Sequence, residues 1–466
     1  MNLTPIKKST LWIAGVILPQ LTNTSCTFEK RKENVSPNII IIISDDTGWN
    51  DVGYNGSEIL TPVIDNMAKE GIQFDRFYVH SVSSPTRASL LTGRYPGRYD
   101  ITGALGDAPG LFAGTVTIAE LLRQNGYLTS ISGKWHLGAV PEARPMQYGF
   151  ISSYGYLRGQ IDPVTHLYKD GQRTWQRNDE LYEEEGHATD LITNEAIRCI
   201  KEGHKQNKPF FIYTAYSVPH YPLDEPEEWT DMYSASIPNK SRRLFAASMT
   251  HMDHGIGKIL STLEELDIEE QTLVIYLSDN GGQRQWSSET EYEGKFEIHD
   301  VLGDNTPLRD WKASIYDGAL RVPAVMIWPG KISHRKVTQN VNVADIFPTL
   351  AWIAGIEVPE ELNIDGINFW PAVIGEKLPE NRTMYWKRSS GLFALIKDNW
   401  KLIYNGSPSL EQGRSMLYDI VNDPGEKQDV SQNYPEIVEE LKQELLIEIK
   451  KDTISWKKFN SHKISD

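Results

Sequence analysis

The sequence predicts an α/β fold in which residues 37–375 form a large, mostly parallel sheet flanked by helices. Residues 376–466 are predicted to form a small C-terminal α+β subdomain. Two observations support this prediction. Short apolar segments rich in Ile, Val, Phe and Tyr alternate with amphipathic helices, and after about residue 375 they give way to closely spaced short strands. The chain has 466 residues, 39% of them hydrophobic, which is enough for two or three domains of about 150 residues.

Residues 1–25 have the order of features that is typical of a secretory signal peptide. Lys7 and Lys8 precede the apolar run 11-LWIAGVIL-18, and a short polar stretch follows it. The apolar run is too short to span a bilayer, so we predict no transmembrane segment and a periplasmic or cell-surface location. Residues 26–36 are polar and charged and are predicted to be a tether.

Cysteine content and charge narrow the class of protein further. The chain has two cysteines, Cys26 and Cys199, and this number excludes a disulfide framework. If cleavage falls directly before Cys26, this residue would carry a lipid anchor; the alternative is a spare cysteine at the end of the leader. The formal net charge of −16 argues against nucleic acid as a partner, because phosphate contacts need basic residues.

Polar residues follow four of the predicted strands at the point where each strand ends. The segments are 38-NIIIIISDD-46, 127-YLTSISGKWH-136, 209-PFFIYTAYSVPH-220 and 272-TLVIYLSDNGG-282. Ligands of open α/β sheets bind outside the carboxyl ends of the strands. We therefore expect one rim of the sheet to carry Asp45, Asp46, Lys134, His136, His220, Asp279 and Asn280.

The stretch 81-SVSSPTRASLLTGRYPGR-98 is predicted to begin with a helix on the same rim. Pro85 suits the first helical position, Ser83 or Ser84 suits the cap, and Gly93 suits the end. Free backbone N–H groups and the helix dipole favour an anion at such a helix start. Taken alone, these features favour a plain helix cap at Ser83.

The C-terminal residues 376–466 differ in pattern from the rest of the chain. The segments 393-FALIKD-398, 400-WKLIYNG-406 and 415-SMLYDI-420 have the composition of short antiparallel strands. The segment 435-PEIVEELKQELLIEIKKD-452 has the apolar spacing of an amphipathic helix. A short sheet with one helix is therefore predicted for this subdomain.

The pattern Ser-x-Pro-x-Arg at 83–87, followed by Leu-Thr-Gly-Arg at 91–94, resembles the signature of the type I sulfatases of the alkaline phosphatase superfamily. The resemblance extends over nearly all of the mature chain. Further similar stretches are the Asp45-Asp46 pair, 133-GKWHLG-138, 216-YSVPHYPL-223, 278-SDNGG-282, 307-PLRDWKASIYDGALRVP-323 and 417-LYDIVNDPGE-426. One departure is Asp317, where many members of the family have Glu.

The resemblance implies an alkaline phosphatase-like sandwich and a catalytic formylglycine, which is made after synthesis by oxidation of Ser83. A serine in this position is similar to the bacterial variant that a radical-SAM maturating enzyme of anaerobic bacteria modifies, whereas the aerobic system acts on cysteine. This chain is thus identified as a serine-type bacterial member whose partner would be such a maturating enzyme.

The polar residues at the strand ends suit a hard metal ion. Carboxylate and amide oxygens are ligands that Ca²⁺ and Mg²⁺ prefer, and the group lacks the softer ligands that zinc prefers. By family resemblance the metal is one Ca²⁺ ion, which the formylglycine and the substrate sulfate would also contact. The implied metal ligands are Asp45, Asp46, Ser83, Asp279 and Asn280.

The negative charge of a sulfate monoester must be neutralised before an oxygen nucleophile can approach the sulfur. A formylglycine hydrate carries two hydroxyls: one attacks sulfur, and the other then expels sulfate and restores the aldehyde. By resemblance, Arg87, Lys134 and His136 would orient and activate this hydrate, with His136 as the base for the second step. His220 and Lys312 would hold the sulfate and protonate the leaving oxygen.

Three further stretches are similar to the N-acetylgalactosamine-4-sulfatase branch: 154-YGYLRGQIDPVTH-166, 278-SDNGGQ-283 and 306-TPLRDWK-312. This similarity implies an exo-acting enzyme that removes a 4-sulfate from galactose or N-acetylgalactosamine of a glycosaminoglycan or mucin-type glycan. The candidate sugar contacts are Asp162, His166, Gln283 and Arg309. Ordinary loop polarity explains these residues equally well.

Other functions stay open at this point. A sulfatase could act on a 6-O- or 2-O-sulfate instead. A phosphodiesterase or phosphonate hydrolase of the superfamily would share the sheet, but its two-metal members usually have Asp-His where this chain has Asp279-Asn280, and they lack the Ser-x-Pro-x-Arg pattern. A glycan-binding protein would keep the fold with Ser83 unmodified.

Overall fold

The computed structural model describes residues 36–389 and 391–463. The predicted signal peptide, Cys26 and nearly all of the predicted tether lie outside these residues. Within the described residues, none of the helices combines the length and the apolar character that a membrane span needs. The residues from Ser36 onward form one compact unit by their contacts, so the predicted domain boundary at residue 375 stays a prediction.

Eleven strands of the described chain form one large mixed sheet. They are β1 (Asn38–Ser44), β2 (Ile72–Tyr78), β3 (Leu128–Lys134), β4 (Ser152–Tyr156), β5 (Trp175–Arg177), β6 (Glu180–Leu181), β7 (Phe210–Ala215), β8 (Thr272–Ser278), β9 (Arg321–Ile327), β10 (Arg335–Val337) and β11 (Val341–Asn342). Their order is β10-β2-β9-β8-β1-β7-β3-β4-β5-β6, and β11 also pairs with β2. The central strands β8, β1, β7, β3 and β4 run parallel.

The four segments that the sequence predicts as strands with polar ends are β1, β3, β7 and β8, and they are neighbours at the centre of the sheet. Every residue of β1, β7 and β8 is buried, as expected for parallel strands that are covered on both faces. Antiparallel pairs occur where β9, β5 and β6 join the sheet. The predicted α/β fold is confirmed.

α-Helices cover both faces of this sheet. They are α1 (Pro62–Glu70), α2 (Ser83–Thr92), α3 (Ile118–Gln124), α4 (Ala188–Gln206), α5 (Glu227–Asp231), α6 (Lys240–Glu265), α7 (Asp317–Leu320), α8 (Ile346–Ile353) and α9 (Trp370–Val373). Ile39, Ile41 and Ile43 of β1 pack with α2, α3 and α8, whereas Ile40 and Ile42 pack with α1, α4 and α6. Burial on both faces explains the unbroken isoleucine run of β1.

A four-stranded antiparallel sheet follows, with β12 (Thr383–Ser389), β13 (Leu392–Lys397), β14 (Trp400–Gly406) and β15 (Gly413–Asp419) in that order. Helix α10 (Pro435–Lys463) packs on it through Leu441, Leu445 and Ile449. The predicted small sheet with one helix is confirmed, but the sequence analysis missed β12. Lys387 and Arg388 interrupt the apolar pattern of that strand.

Candidate active site

The ends of β1, β3 and β8 and the start of α2 bring a group of polar side chains together. We name this group the strand-end cluster: Asp45, Asp46, Ser83, Arg87, Lys134, Asp279, Asn280 and Lys312. All of them are buried except Lys312, whose side chain is 16% exposed. Ser44 of β1 pairs with Ser278 of β8, so Asp45 and Asp279, which directly follow these two residues, leave the sheet side by side. The cluster therefore forms at the rim that the strand pattern predicts.

Asp45 and Asp46 are adjacent in sequence, yet both belong to this cluster. Successive side chains of a strand point to opposite faces, but Asp46 has a left-handed backbone with φ of 74°, which ends the alternation. The backbone N–H of Asp46 donates to Asp279 Oδ1 at 3.3 Å, and Asn280 Nδ2 donates to Asp46 Oδ1 at 2.7 Å. The turn after β1 thus adds a second carboxylate to the site.

Helix α2 places Ser83 in the cluster, but not as a helix cap. Ser83 is the first helical residue, and Val82 occupies the cap position with no side-chain hydrogen bond. The prediction of a serine cap was wrong because both serine hydroxyls have other partners: Ser83 Oγ donates to Asp45 Oδ1 at 3.2 Å, and Ser84 Oγ donates to the carbonyl of His136. Pro85 consequently occupies the third helical position instead of the first. The helix ends at Gly93, with φ of 67°, as predicted.

Each buried carboxylate of the cluster lies against a basic side chain. The three ion pairs are Lys134–Asp45 at 2.5 Å, Arg87–Asp279 at 2.8 Å and Lys312–Asp46 at 2.7 Å. Burial opposes the charge of Asp45, but the charge of Lys134 and its basic neighbours outweighs burial and lowers the pKa of Asp45. Burial and the like charge of Asp45 raise the pKa of Asp279. The cluster therefore holds closely spaced carboxylates whose mutual repulsion a cation would relieve.

The hydrogen bonds of Ser83 show that the donor set suits a divalent cation. Ser83 Oγ lies 3.2 Å from Asp45 Oδ1 and 3.4 Å from Asn280 Oδ1. The hydroxyl has one proton, so it can donate to only one of these two acceptors. A cation between the oxygen atoms would satisfy the others, and oxygen ligands of this kind suit Ca²⁺. Ligand atoms of Asp45, Asp46 and His220 also lie within 4.8 Å of one another.

A close backbone approach places Lys312 at the mouth of the cluster. A Cβ atom at Gly281 would lie 1.8 Å from the carbonyl of Gly318, so glycine is required after Asn280. The backbone N–H of Lys312 donates to the carbonyl of Gly282 at 3.1 Å. These contacts bind the segment before α7 to the end of β8.

Asp317, the position at which the sequence departs from the pattern that it resembles, lies behind the segment that carries Lys312. Its carboxylate accepts from Lys401 at 2.6 Å and from the hydroxyl of Tyr78 at 3.0 Å. Both Asp317 and Lys401 are fully buried, and Lys401 also pairs with Glu426 at 2.8 Å. Asp317 therefore supports the site from the subdomain side and does not line it.

His136 is held as a neutral ring with one free nitrogen. Its Nε2 lies 3.1 Å from the carbonyl of Leu105, so this nitrogen carries the proton and donates. Nδ1 is buried and has no hydrogen-bond partner among the described residues. Burial, followed by the charges of Lys134 and Arg87, lowers the pKa of His136. The ring is thus suited to accept a proton at Nδ1.

His220 lies beside the acidic end of β1. Its Nδ1 donates to the carbonyl of Tyr221 at 2.5 Å, and its Nε2 is 3.8 Å from Asp46 Oδ2. Burial and the neighbouring charge of Lys312 lower the pKa of His220. The Tyr221 ring lies tilted against the His220 ring with centroids 4.4 Å apart, and Trp286 stacks on Tyr221 at 4.7 Å. These rings restrict the orientation of His220.

The sequence analysis missed several residues that support the site. Tyr213 of β7 places its hydroxyl 3.3 Å from a terminal nitrogen of Arg87. A tyrosine within the buried run of β7 was the available signal, since a buried hydroxyl needs a partner. Tyr221 and Trp286 gave no comparable signal. They lie in distant segments of the chain, so no regular spacing in the sequence indicates that their rings stack.

Two of the candidate sugar contacts are engaged within the protein. The Asp162 carboxylate accepts from Lys295 at 2.7 Å and from backbone N–H groups of its own turn. His166 is buried, stacks on Trp175 at 4.4 Å and lies 3.0 Å from the carbonyl of Gly186. None of these contacts includes the strand-end cluster, so a sugar-binding role for both residues stays a prediction.

The other two candidate sugar contacts are more accessible. Gln283 Nε2 donates to the carbonyl of Gln285 at 2.7 Å, directly after the segment that carries Asn280. Arg309 lies over the ring of Tyr316 at 3.8 Å and donates to the carbonyl of Glu426 at 2.8 Å. Their contact with a sugar also stays a prediction.

Comparisons with known proteins agree with this geometry. The family model described as Sulfatase matches residues 37–356, and the one described as N-sulphoglucosamine sulphohydrolase, C-terminal, matches residues 310–451. The chain is 31% identical over 389 residues to an N-acetylgalactosamine-6-sulfatase of Mus musculus, a match that covers 78% of this chain and 71% of that protein.

Two further relatives cover more of the chain. An N-acetylgalactosamine-6-O-sulfatase of Bacteroides thetaiotaomicron is 28% identical, and the match covers 92% of this chain and 96% of that protein. The crystal structure of Ps i-CgsB in complex with k-i-k-neocarrahexaose is 30% identical and superposes with a TM-score of 0.80 over 91% of this chain and 98% of that chain. Because the sulfatase model matches well over half of its residues, the chain belongs to the sulfatase family and is a sulfuric ester hydrolase.

Proposed function

We propose that this chain hydrolyses sulfate esters of carbohydrates with a formylglycine made from Ser83 and one calcium ion. The contacts of Ser83 carry the proposal: at the start of α2 its Oγ lies within 3.4 Å of Asp45 Oδ1, Asn280 Oδ1 and Lys134 Nζ. Two relatives are named for sulfated N-acetylgalactosamine, and a third, Ps i-CgsB, was crystallised with a neocarrahexaose; both facts support a sugar substrate.

The calcium ion would be held by the carboxylates and the amide of the strand-end cluster: Asp45, Asp46, Asp279 and Asn280, together with the modified Ser83. When bound, it would supply positive charge that attracts the sulfate oxygens. Arg87, Lys134 and Lys312 each pair with one of these carboxylates and would thereby orient its oxygen atoms.

Two residues are placed to control the hydroxyls at position 83. A formylglycine hydrate supplies two hydroxyls on one carbon, one to attack sulfur and one to expel sulfate afterwards. Lys134 Nζ lies 3.4 Å from Ser83 Oγ and can stabilise negative charge on an oxygen there. His136, with its proton on Nε2 and a free Nδ1, would accept the proton in the second step.

Lys312 and His220 would act on the sulfate and the leaving oxygen. Burial opposes the charge of Lys312, but Asp46 and Asp45 outweigh it and raise the pKa of this lysine, so it stays protonated. It is also the one cluster member that is partly open to solvent, where a sulfate would enter. A bound sulfate would bring negative charge beside His220, which favours the protonated ring.

Maturation and location are part of the same proposal. Serine at position 83 supports modification by a radical-SAM maturating enzyme of the anaerobic type, because the aerobic system acts on cysteine. The charged and apolar pattern of residues 1–25 supports export to the periplasm or the cell surface, with Cys26 as the site of a lipid anchor if the leader is cleaved before it.

Two sulfate positions have separate support. The similarity of 154–166 and 306–312 to 4-sulfatases favours an exo-acting enzyme on the 4-sulfate of galactose or N-acetylgalactosamine. The names of the Mus musculus and Bacteroides thetaiotaomicron relatives favour the 6-sulfate of the same sugar. We give the 4-sulfate first and the 6-sulfate as the second candidate.

The test is sulfate release by protein co-expressed with an anaerobic-type maturating enzyme. N-acetylgalactosamine 4-sulfate and N-acetylgalactosamine 6-sulfate are supplied separately, with Ser83→Ala protein as the control. Faster release from one isomer would assign the position. No release from either isomer, from their galactose analogues or from sulfated oligosaccharides would contradict the proposed carbohydrate substrate.

A further inference from the structure

A second group of ionisable side chains lies where α4, α6 and the segment after β7 meet. We name it the imidazole cluster: His187, Asp190, Glu225 and His251. The side chains of Glu225 and His251 are 1% and 3% exposed. One ligand atom from each of His187, Glu225 and His251 can be chosen so that all lie within 4.8 Å of one another. The proposed sulfatase chemistry does not use these residues.

His251 lies between two carboxylates. Its Nδ1 lies 2.8 Å from Glu225 Oε2, and its Nε2 lies 3.3 Å from Asp190 Oδ2. A neutral imidazole has one proton and can donate to only one of these carboxylates. With a neutral ring the other nitrogen would face a carboxylate oxygen directly, and a second proton or a metal ion at His251 would relieve this contact.

Glu225 provides the second observation. Its Oε1 is buried and has no hydrogen-bond partner among the described residues. This oxygen faces His187 Nε2 at a distance of 3.7 Å. An unpartnered carboxylate oxygen in a buried position is costly, and a proton on His251 does not satisfy it, because that proton lies on the other oxygen.

We propose that the imidazole cluster binds one divalent transition metal ion of the zinc type. The ligands are His251 Nδ1, the Glu225 carboxylate and His187 Nε2, while Asp190 accepts the proton of His251 Nε2. Imidazole with carboxylate is a donor set that zinc prefers, in contrast to the all-oxygen strand-end cluster. A carboxylate that accepts from the second nitrogen of a metal-binding histidine is the arrangement that orients such ligands.

His187 is the weakest of the three ligands. Its Nδ1 accepts from the backbone N–H of Thr189 at 3.3 Å, and its Nε2 lies 3.0 Å from the carbonyl of Asp224. Binding through Nε2 moves the ring proton to Nδ1 and breaks both contacts. Substitution of His187 therefore has a smaller effect on zinc affinity than substitution of Glu225 or His251.

An ion bound by Glu225 would restrict the segment after β7. Glu225 follows His220 closely in the segment after β7, whereas His187 precedes α4 and His251 belongs to α6. A bound ion would connect this segment to α4 and α6. The ion would thereby restrict the part of the chain that carries His220.

The test is zinc binding by the full-length protein in excess calcium, which keeps the strand-end cluster occupied. Metal-depleted wild type, Glu225→Gln and His254→Gln are titrated with Zn²⁺ by calorimetry. His254 is the matched control, since it lies one turn from His251 on α6, is exposed and contacts Trp229 with a tilted ring. We expect one tight equivalent of zinc in wild type and His254→Gln and its loss in Glu225→Gln. Equal binding by wild type and Glu225→Gln would overturn the proposal.

A measurement on the wild type covers the case in which Glu225→Gln does not fold. X-ray absorption of zinc-loaded protein should show two imidazole nitrogen ligands at about 2.0–2.1 Å. A ligand shell with one imidazole or none would overturn the proposal, because it would fit zinc at Asp45 and Asp46 beside His220.

Discussion

The strand-end cluster and the imidazole cluster both bury carboxylates, but they balance the negative charge by different means. In the strand-end cluster, lysine and arginine side chains lie 2.5–2.8 Å from the carboxylates, although burial lowers the pKa of Lys134. In the imidazole cluster the partners are histidines, which are charged only when protonated. The first cluster is therefore organised before any ligand binds, whereas the second depends on a proton or a metal ion.

The largest expected effect is the loss of activity in Ser83→Ala, which tests whether the strand-end cluster is organised around this hydroxyl. Turnover should fall to the uncatalysed level, because no formylglycine can form. The fold should persist, since Ser83 Oγ makes only contacts of 3.2–3.4 Å. Sulfate release and circular dichroism measure the two properties.

Ser89→Ala is the matched control for this variant. Ser89 is a buried serine of the same helix whose hydroxyl has no hydrogen-bond partner among the described residues. It should retain full turnover. Wild-type turnover in Ser83→Ala would contradict the role of Ser83.

Lys134→Met tests whether the Lys134–Asp45 ion pair stabilises the strand-end cluster. The substitution leaves Asp45 buried without its cation, and breaking a buried ion pair in this way costs about 3–5 kcal/mol. Both side chains are fully buried. We expect the free energy of unfolding, measured by urea denaturation, to fall by about that amount, and Asp45→Asn in the same chain to restore part of it. An unchanged free energy of unfolding would show that the pair does not hold the cluster.

Asn280→His tests whether the strand-end cluster, and not the imidazole cluster, binds calcium. It replaces an amide oxygen that faces Ser83 by a softer imidazole, so calcium affinity should fall about 10-fold or more. Calcium titration by calorimetry measures this effect. Glu225→Gln, which alters only the imidazole cluster, should bind calcium as the wild type does. If both variants bind calcium equally, Asn280 is not a calcium ligand.

The strand-end cluster could be predicted because general rules connect it to the sequence. Ligand-binding residues follow the carboxyl ends of parallel strands, and Asp45, Asp279 and Asn280 directly follow buried apolar runs. The cap at Ser83 was predicted incorrectly for a physical reason. Local capping rules consider only the helix, whereas the hydroxyl of Ser83 donates to Asp45, which directly follows β1.

The imidazole cluster could not be predicted from the sequence. Its residues come from the start of α4, the segment after β7 and the middle of α6, and no spacing connects them. A single histidine such as His251 is usually a hydrogen-bonded core residue and gives no signal of a site. The stacking of Trp286 on Tyr221 could not be predicted from the sequence either, because only the fold brings the two segments together.

The most direct test of the account is mass spectrometry of the tryptic peptide 77-FYVHSVSSPTR-87 from protein co-expressed with an anaerobic-type maturating enzyme. Fragmentation assigns any modification to Ser81, Ser83 or Ser84, and sulfate release is measured on the same sample. The account predicts a peptide lighter by two hydrogen atoms at Ser83, in proportion to activity. An unmodified Ser83 in fully active protein would contradict it.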